Sequence, residues 1–177
     1  ASHMWFYGML GTDEQQYSWM DEGFTSFAED EAMNVLLHKN VLNPHNSYLS
    51  RFSKLARESW IEPTGTLANY FDGKFPYQLA AYMKGSLFLV QLRGIIGEGP
   101  FWSTMTRYKN EWSFKHPTPK DFLRIAEKES GMILDWYLNL WISTNKYPDI
   151  AIESAYGIDN KTTQISLKRI GAMAIPV

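Results

Sequence analysis

Apolar residues recur at spacings of three and four near the start of the chain, a pattern that is typical of a helix with one buried face. They are Phe24, Phe27, Ala28, Ala32, Val35 and Leu36. Ser18 can act as the N-cap of this helix, and Asp21, three residues later, can complete a capping box. We therefore predict a helix over residues 20–39, which ends before Asn43 and Pro44.

The same period predicts further helices over residues 47–58, 76–96, 100–111, 119–130 and 134–143. Pro76 suits the first turn of its helix. Thr118 precedes Pro119 and Asp121, which is the order of an N-cap, a first-turn proline and an acid that favours the helix start. Residues 59–75 show no such period and are expected to form a long irregular connection.

From Asp149 onward the period changes to two. In the first segment Ile150, Ile152 and Ser154 alternate with Ala151 and Glu153, and the second segment, residues 163–169, alternates in the same way. Gly157, Asp159 and Asn160 supply a turn between these two segments. This pattern predicts a β-hairpin. The expected fold is therefore mainly α, a multi-helix body with a short C-terminal β-hairpin.

Composition narrows the range of functions. The 177 residues are 45% hydrophobic and 15% aromatic, which predicts a packed globular body. The formal net charge is −2 and no basic stripe is present, so we expect no nucleic-acid partner. The chain has no cysteine, which excludes disulfides and thiolate metal sites but does not fix the compartment. The apolar run that begins at Leu87 is interrupted by Gln91 and Arg93, so we expect no membrane span.

Two carboxylates in the first helix are candidates for chemistry. Glu22 and Glu29 are seven residues apart and project from the same side of that helix. Acidic side chains are almost never buried without a partner. From the pattern alone, these residues are compatible with a solvated face, an ion pair or a functional site.

Two strings resemble motifs of the aminopeptidase N family, which are zinc metallopeptidases of the gluzincin type. The first is W-M-D-E-G-F at residues 19–24, which resembles the family context of a zinc-binding Glu. In that family, eighteen residues separate this Glu from the second His of H-E-x-x-H, and residues 4–21 separate His3 from Glu22 in the same way. The second string is Y-M-K-G at residues 82–85, which begins sixty residues after Glu22, at the family distance. Its Gly85 lies inside a helix and is expected to permit close packing.

The resemblance implies roles for four residues. Glu22 and His3 would be zinc ligands, and Tyr82 would donate a hydrogen bond to the oxyanion formed on a peptide substrate. Glu29 could accept a hydrogen bond from a ligand imidazole and so orient it; a surface ion pair is the alternative for this residue. The activity implied is the removal of single residues from peptide N-termini.

The resemblance also implies a domain organisation. Residues 1–148 would form the lower, helical half of a thermolysin-like catalytic domain, truncated at its N-terminus, and residues 149–177 the first strands of a following β-domain. No His in the chain is followed by Glu, and the family's G-x-M-E-N string is absent. The other histidines, His38, His45 and His116, stand in no ligand spacing and are expected at the surface or in loops.

The origin of His3 has two interpretations. Ala1, Ser2 and His3 can be the end of an H-E-A-S-H motif, or Ser-His-Met can be a cloning remnant, in which case His3 is not native. Two functions are compatible with these observations. The first is a fragment of a zinc aminopeptidase, inactive without the N-terminal half of its domain. The alternative is a non-catalytic helical module that uses the same scaffold for protein contacts, in which Glu22 and Tyr82 would pack against unrelated groups.

Overall fold

The computed structural model describes residues 3–56, 58, 60–173 and 175–176. The chain divides into two compact units, Ala1–Asn145 and Lys146–Val177. Within its described residues the first unit is helical, and a 3₁₀ turn at Ala68–Tyr70 lies in the connection before its fourth helix. Its helices are α1 (His3–Phe6), α2 (Ser18–Leu36), α3 (Asn46–Leu55), α4 (Lys74–Ile96), α5 (Glu98–Trp112), α6 (Pro119–Ser130) and α7 (Asp135–Ile142). The prediction of a mainly helical chain with a C-terminal hairpin is confirmed.

Aromatic side chains from four helices form the core of the helical unit. Phe24 of α2 meets Phe122 of α6 edge to face, with ring centroids 4.9 Å apart. Phe88 of α4 stacks on Tyr137 of α7 at 4.9 Å. All four side chains are fully buried, and each contributes on the order of 1.5–3 kcal/mol through burial. This core fixes the first turns of α2, which carry the W-M-D-E-G-F string.

Two glycines allow α2 and α4 to approach closely. A Cβ atom added to Gly23 would lie 2.6 Å from the carbonyl carbon and 2.7 Å from the Cα of Gly85. A Cβ atom on Gly85 would lie 3.1 Å from the Cα of Gly23. The prediction that Gly85 permits close packing is therefore confirmed, and Gly23 is its counterpart on the facing helix.

Helix α4 contains a π-helical segment, Gln78–Lys84, which the sequence pattern did not predict. The Gly85 N–H donates to the carbonyl of Ala80, five residues back, instead of four. By length and composition alone α4 could cross a membrane, but 67% of its most apolar window is buried inside the protein, as in a core helix. The expectation of no membrane span thus stays a prediction.

The predicted start of α2 was wrong in one detail. Ser18 is the first residue of the helix and Tyr17 is its N-cap, with no capping hydrogen bond from a side chain. The Ser18 hydroxyl is buried without a partner in the described part of the chain, so it does not cap the helix. The predicted cap of α6 is confirmed, because Asp121 accepts hydrogen bonds from the Thr118 backbone at 2.9 Å and from its hydroxyl at 2.6 Å.

His45 lies in a turn, as expected of a loop histidine, but it is not a surface residue. His45 precedes α3, is fully buried and stacks on Phe27 with ring centroids 4.6 Å apart. Its Nδ1 lies 3.2 Å from an Asp30 oxygen and its Nε2 lies 2.9 Å from a Glu31 oxygen. These carboxylates lie on α2, so the imidazole ties the start of α3 to the second half of that helix.

The second unit contains an antiparallel hairpin of β1 (Ile150–Gly157) and β2 (Thr163–Arg169), as predicted. The register runs from the pair Ile150 and Arg169 to the pair Gly157 and Thr163. A register shift between Ile152 and Ser154 interrupts the strict alternation, which is the signature of a β-bulge. Whether residues 149–177 begin a separate β-domain stays a prediction.

Candidate metal centre

Both carboxylate oxygens of Glu22 have polar partners from other helices. Oε2 lies 3.0 Å from Nε2 of His3 in α1. Oε1 accepts a hydrogen bond from the Tyr82 hydroxyl at 2.5 Å and a longer one from the Tyr77 hydroxyl at 3.4 Å. The Glu22 side chain is 14% exposed, so the carboxylate is largely removed from water and held by these groups.

The packing of three helices produces this arrangement. The ring of Phe6 lies edge-on against Phe24, with centroids 6.0 Å apart, and this contact places α1 beside the start of α2. The close approach at Gly23 and Gly85 brings α4 against the same turn of α2. Residues distant in sequence therefore converge on Glu22.

Asp21 is a further member of the cluster, and the resemblance to the family implied no role for it in the site. Its side chain is buried, and its Oδ1 has no hydrogen-bond partner among the described residues. This oxygen lies 4.0 Å from Nε2 of His3. Burial and then the charge of Glu22 raise the pKa of Asp21 to about 6, although His3 acts in the opposite direction. The signal in the sequence was a pair of adjacent acids in a helix whose first turns are otherwise mostly apolar.

The donor set fits a divalent metal ion. One ligand atom each from His3, Asp21 and Glu22 lies within 4.8 Å of the others. Imidazole nitrogen and carboxylate oxygen are ligands of zinc, and ligands held about 2.0–2.2 Å from a tetrahedral metal lie roughly 3.3–3.6 Å from one another. The His3–Glu22 distance of 3.0 Å is close to that spacing. A cation would also satisfy the buried Asp21 oxygen, which is costly to leave unpaired.

The two tyrosines are neutral hydrogen-bond donors. Burial, a hydrogen bond to Glu22 and its charge raise the pKa of Tyr82 well above its ordinary value. Burial and the charges of Glu22 and Asp21 raise the pKa of Tyr77 to about 12. Both hydroxyls therefore keep their protons at neutral pH. Tyr82 belongs to the Y-M-K-G string and Tyr77 to neither motif string, and the role of Tyr82 toward a substrate oxyanion stays a prediction.

Glu29 and Lys84 lie outside the cluster around Glu22. Glu29 is exposed on α2, and no hydrogen bond joins it to His3 in the described residues, so its orienting role stays a prediction. Lys84 is buried, and its Nζ donates to the carbonyl of Thr144 at 2.6 Å. Burial lowers the pKa of Lys84 to about 7. Lys84 thus anchors α4 to the residues after α7.

Comparison with known proteins shows that the chain is similar to aminopeptidases. Aminopeptidase M1-B of Oryza sativa subsp. japonica is 24% identical over 154 residues, which are 84% of this chain and 17% of that protein. Glutamyl aminopeptidase of Rattus norvegicus is 23% identical over 176 residues, 94% of this chain and 18% of that protein. The chain thus spans less than a fifth of the length of these relatives.

Solved structures agree on the fold. The M1 zinc metallopeptidase from Deinococcus radiodurans superimposes with a TM-score of 0.66 at 18% identity, over 84% of this chain and 32% of that one. A mutant of that enzyme bound to a Tyr-Ser-Ala substrate superimposes with a TM-score of 0.63 at 18% identity, over 80% of this chain and 31% of that one. Residues 1–141 match the Peptidase family M1 domain. The chain therefore belongs to peptidase family M1, as its motifs indicated.

Proposed function

We propose that this chain supplies part of the catalytic zinc site of an aminopeptidase, with His3 and Glu22 as metal ligands and Tyr82 as the donor to the substrate's developing oxyanion. The observation that carries the proposal is the position of Glu22, held between His3 at 3.0 Å and Tyr82 at 2.5 Å. The relatives that match the chain are aminopeptidases, which supports a peptide with a free N-terminus as the substrate.

Each side chain has a separate task in this proposal. Bound zinc would supply Lewis acidity and lower the pKa of water. Glu22 contributes negative charge on a rigid turn of α2, and His3 contributes a neutral ring nitrogen. Tyr82 donates its phenol proton as a hydrogen bond where charge develops on the scissile carbonyl oxygen, a contribution that is commonly worth about 10²–10³-fold in rate.

His3, Asp21 and Glu22 form a donor set, but the proposed catalytic site takes only His3 and Glu22 from this chain, so a further ligand and a base must come from outside it. Catalytic zinc sites use three protein ligands and an open position. In the H-E-x-x-H motif that the resemblance implies for this family, the Glu is the general base. No His of this sequence is followed by Glu. We propose that the remaining ligand and the base come from the other half of the catalytic domain, which is thereby the partner of this chain.

A two-residue extension tests the proposal. Adding His-Glu before Ala1 creates the spacing H-E-x-x-H with His3. We expect the extended chain to bind Zn²⁺ at least about 10-fold more tightly than the chain alone, since it gains a ligand. Extension by Gln-Glu is the matched control and should give no such gain. Equal affinity of the two extended chains, or a gain that survives Glu22→Gln, would refute the assigned ligands.

A non-catalytic module on the same scaffold is the second candidate. In such a module Glu22 and Tyr82 would pack against unrelated groups. Here they contact each other, and both remain partly accessible to solvent. This arrangement supports the peptidase site. Extension by His-Glu would leave zinc affinity unchanged in a scaffold that has lost its site.

A further inference from the structure

The π-helical segment of α4 brings two tyrosines to one side of the helix. Tyr77 and Tyr82 are five residues apart, and in regular α-helix five residues correspond to about 140° of rotation. Wider π turns, with hydrogen bonds between residues five apart, bring such positions nearly above one another. The two rings accordingly meet edge to face, with centroids 6.0 Å apart.

Both phenols point at the same atom. Tyr82 donates to Oε1 of Glu22 at 2.5 Å, and Tyr77 is directed to the same oxygen at 3.4 Å. Phe71 also packs edge to face against the Tyr77 ring, with centroids 5.4 Å apart and planes at 83°. The longer contact is therefore made by a ring that its neighbours keep in place.

This arrangement matters because Tyr82 cannot serve two acceptors with one proton. If its hydroxyl turns to the substrate, as the proposed function requires, Oε1 of Glu22 loses its short hydrogen bond. A ligand carboxylate that is no longer hydrogen-bonded is free to rotate, and loss of such outer partners weakens metal sites. Among the residues that the structure describes, Tyr77 lies within reach of Oε1 and can retain the contact.

We infer that Tyr77 is a positioning residue, which holds Glu22 in its ligand orientation when the hydroxyl of Tyr82 is engaged elsewhere. The inference rests on the proposed function, since it assigns Tyr77 a task toward the same metal ligand. We therefore expect the hydroxyls of Tyr77 and Tyr82 to replace each other in part, so that removing the second hydroxyl weakens zinc binding more than removing the first.

A double-mutant cycle on this chain tests the inference. Tyr77→Phe and Tyr82→Phe each remove one hydroxyl and keep the ring. Zn²⁺ is titrated while the ring signal of His3 is followed by NMR, which reports affinity at this site and not elsewhere. We expect Tyr77→Phe to weaken binding by less than about 10-fold alone and by more than 10-fold when Tyr82→Phe is already present. Tyr70→Phe, which removes an exposed hydroxyl, is the control.

The outcomes separate the two claims. Tyr77→Phe could weaken zinc binding equally in the parent chain and in Tyr82→Phe, while Glu22→Gln still abolishes the shift of the His3 signal. That result would overturn the inference but would leave the zinc site supported. A His3 signal that Zn²⁺ does not move in any variant would refute the proposed function itself. A purely structural role of Tyr77 would lower the melting temperature of the variant without changing its zinc affinity, and this result would also overturn the inference.

Discussion

The contact of α2 with α4 at Gly23 gives the sharpest prediction about stability. Alanine at position 23 would place its Cβ 2.6 Å from the carbonyl carbon of Gly85 and 3.0 Å from the carbonyl oxygen of Ala81. Both are backbone atoms, so the clash cannot be relieved by rotation of a side chain. Helices α2 and α4 must instead move apart at the point where Glu22 meets Tyr82.

The magnitude follows from two opposed effects. Overpacking of a dense interior costs typically about 1–3 kcal/mol, and the backbone contacts here favour the upper part of that range. Replacement of glycine by alanine inside a helix returns about 1 kcal/mol through propensity. We therefore expect Gly23→Ala to lower the free energy of unfolding by about 2 kcal/mol.

Gly94 is a matched control in the same helical unit. A Cβ atom there meets nothing within 4 Å, and Gly94 lies within α4. Only the propensity effect remains, so Gly94→Ala should raise the free energy of unfolding by about 0.5–1 kcal/mol. Urea unfolding followed by circular dichroism at the helical band measures both variants. If Gly23→Ala were as stable as the parent chain, the close crossing of α2 and α4 would be wrong.

Three further predictions concern other parts of the chain. Burial alone would lower the pKa of His45, but the hydrogen bonds to Asp30 and Glu31 outweigh burial and raise this pKa. The protonated imidazole therefore stabilises the fold fully below about pH 6.5, and this stabilisation is lost as the pH rises through the higher pKa of the folded state. The stability difference between the parent chain and His45→Gln, measured by urea unfolding, should accordingly shrink toward alkaline pH, and a difference that grows would contradict the paired imidazolium. Thr118→Ala should cost about 1 kcal/mol by removing the cap of α6, whereas an unchanged urea midpoint would exclude that cap. The chain alone should hydrolyse no aminoacyl chromogenic substrate, because it lacks the His-Glu pair; turnover that disappears with Glu22→Ala would show that the base lies among its own residues.

Local features could be predicted from the sequence because they depend on neighbouring residues. The period of apolar positions located the helices, and Thr118 with Asp121 located the start of α6. The alternation after Asp149 located the hairpin. The two motif strings assigned Glu22 and Tyr82 to one site, but their direct hydrogen bond, between residues sixty positions apart, was not predicted.

Features that depend on tertiary contacts were missed. The π segment changes the hydrogen-bond partners of residues 78–84 without leaving a mark in composition, so Tyr77 was not recognised as a neighbour of Glu22. His45 carries no apolar signal, and its contacts with Asp30, Glu31 and Phe27 of α2 are tertiary contacts that the local pattern does not show. Ser18 was expected to cap α2, but the buried start of that helix uses no side-chain cap.

The position of zinc relative to Glu22 is the most decisive test of the proposed metal site. Crystals of the chain soaked in Zn²⁺ and measured at the zinc absorption edge would show the ion as an anomalous peak. We expect a peak about 2.0–2.2 Å from Nε2 of His3 and from a carboxylate oxygen of Glu22, which vanishes in Glu22→Gln. A peak bound by other residues, or one at this place that persists in Glu22→Gln, would contradict the assignment of Glu22 as the metal ligand.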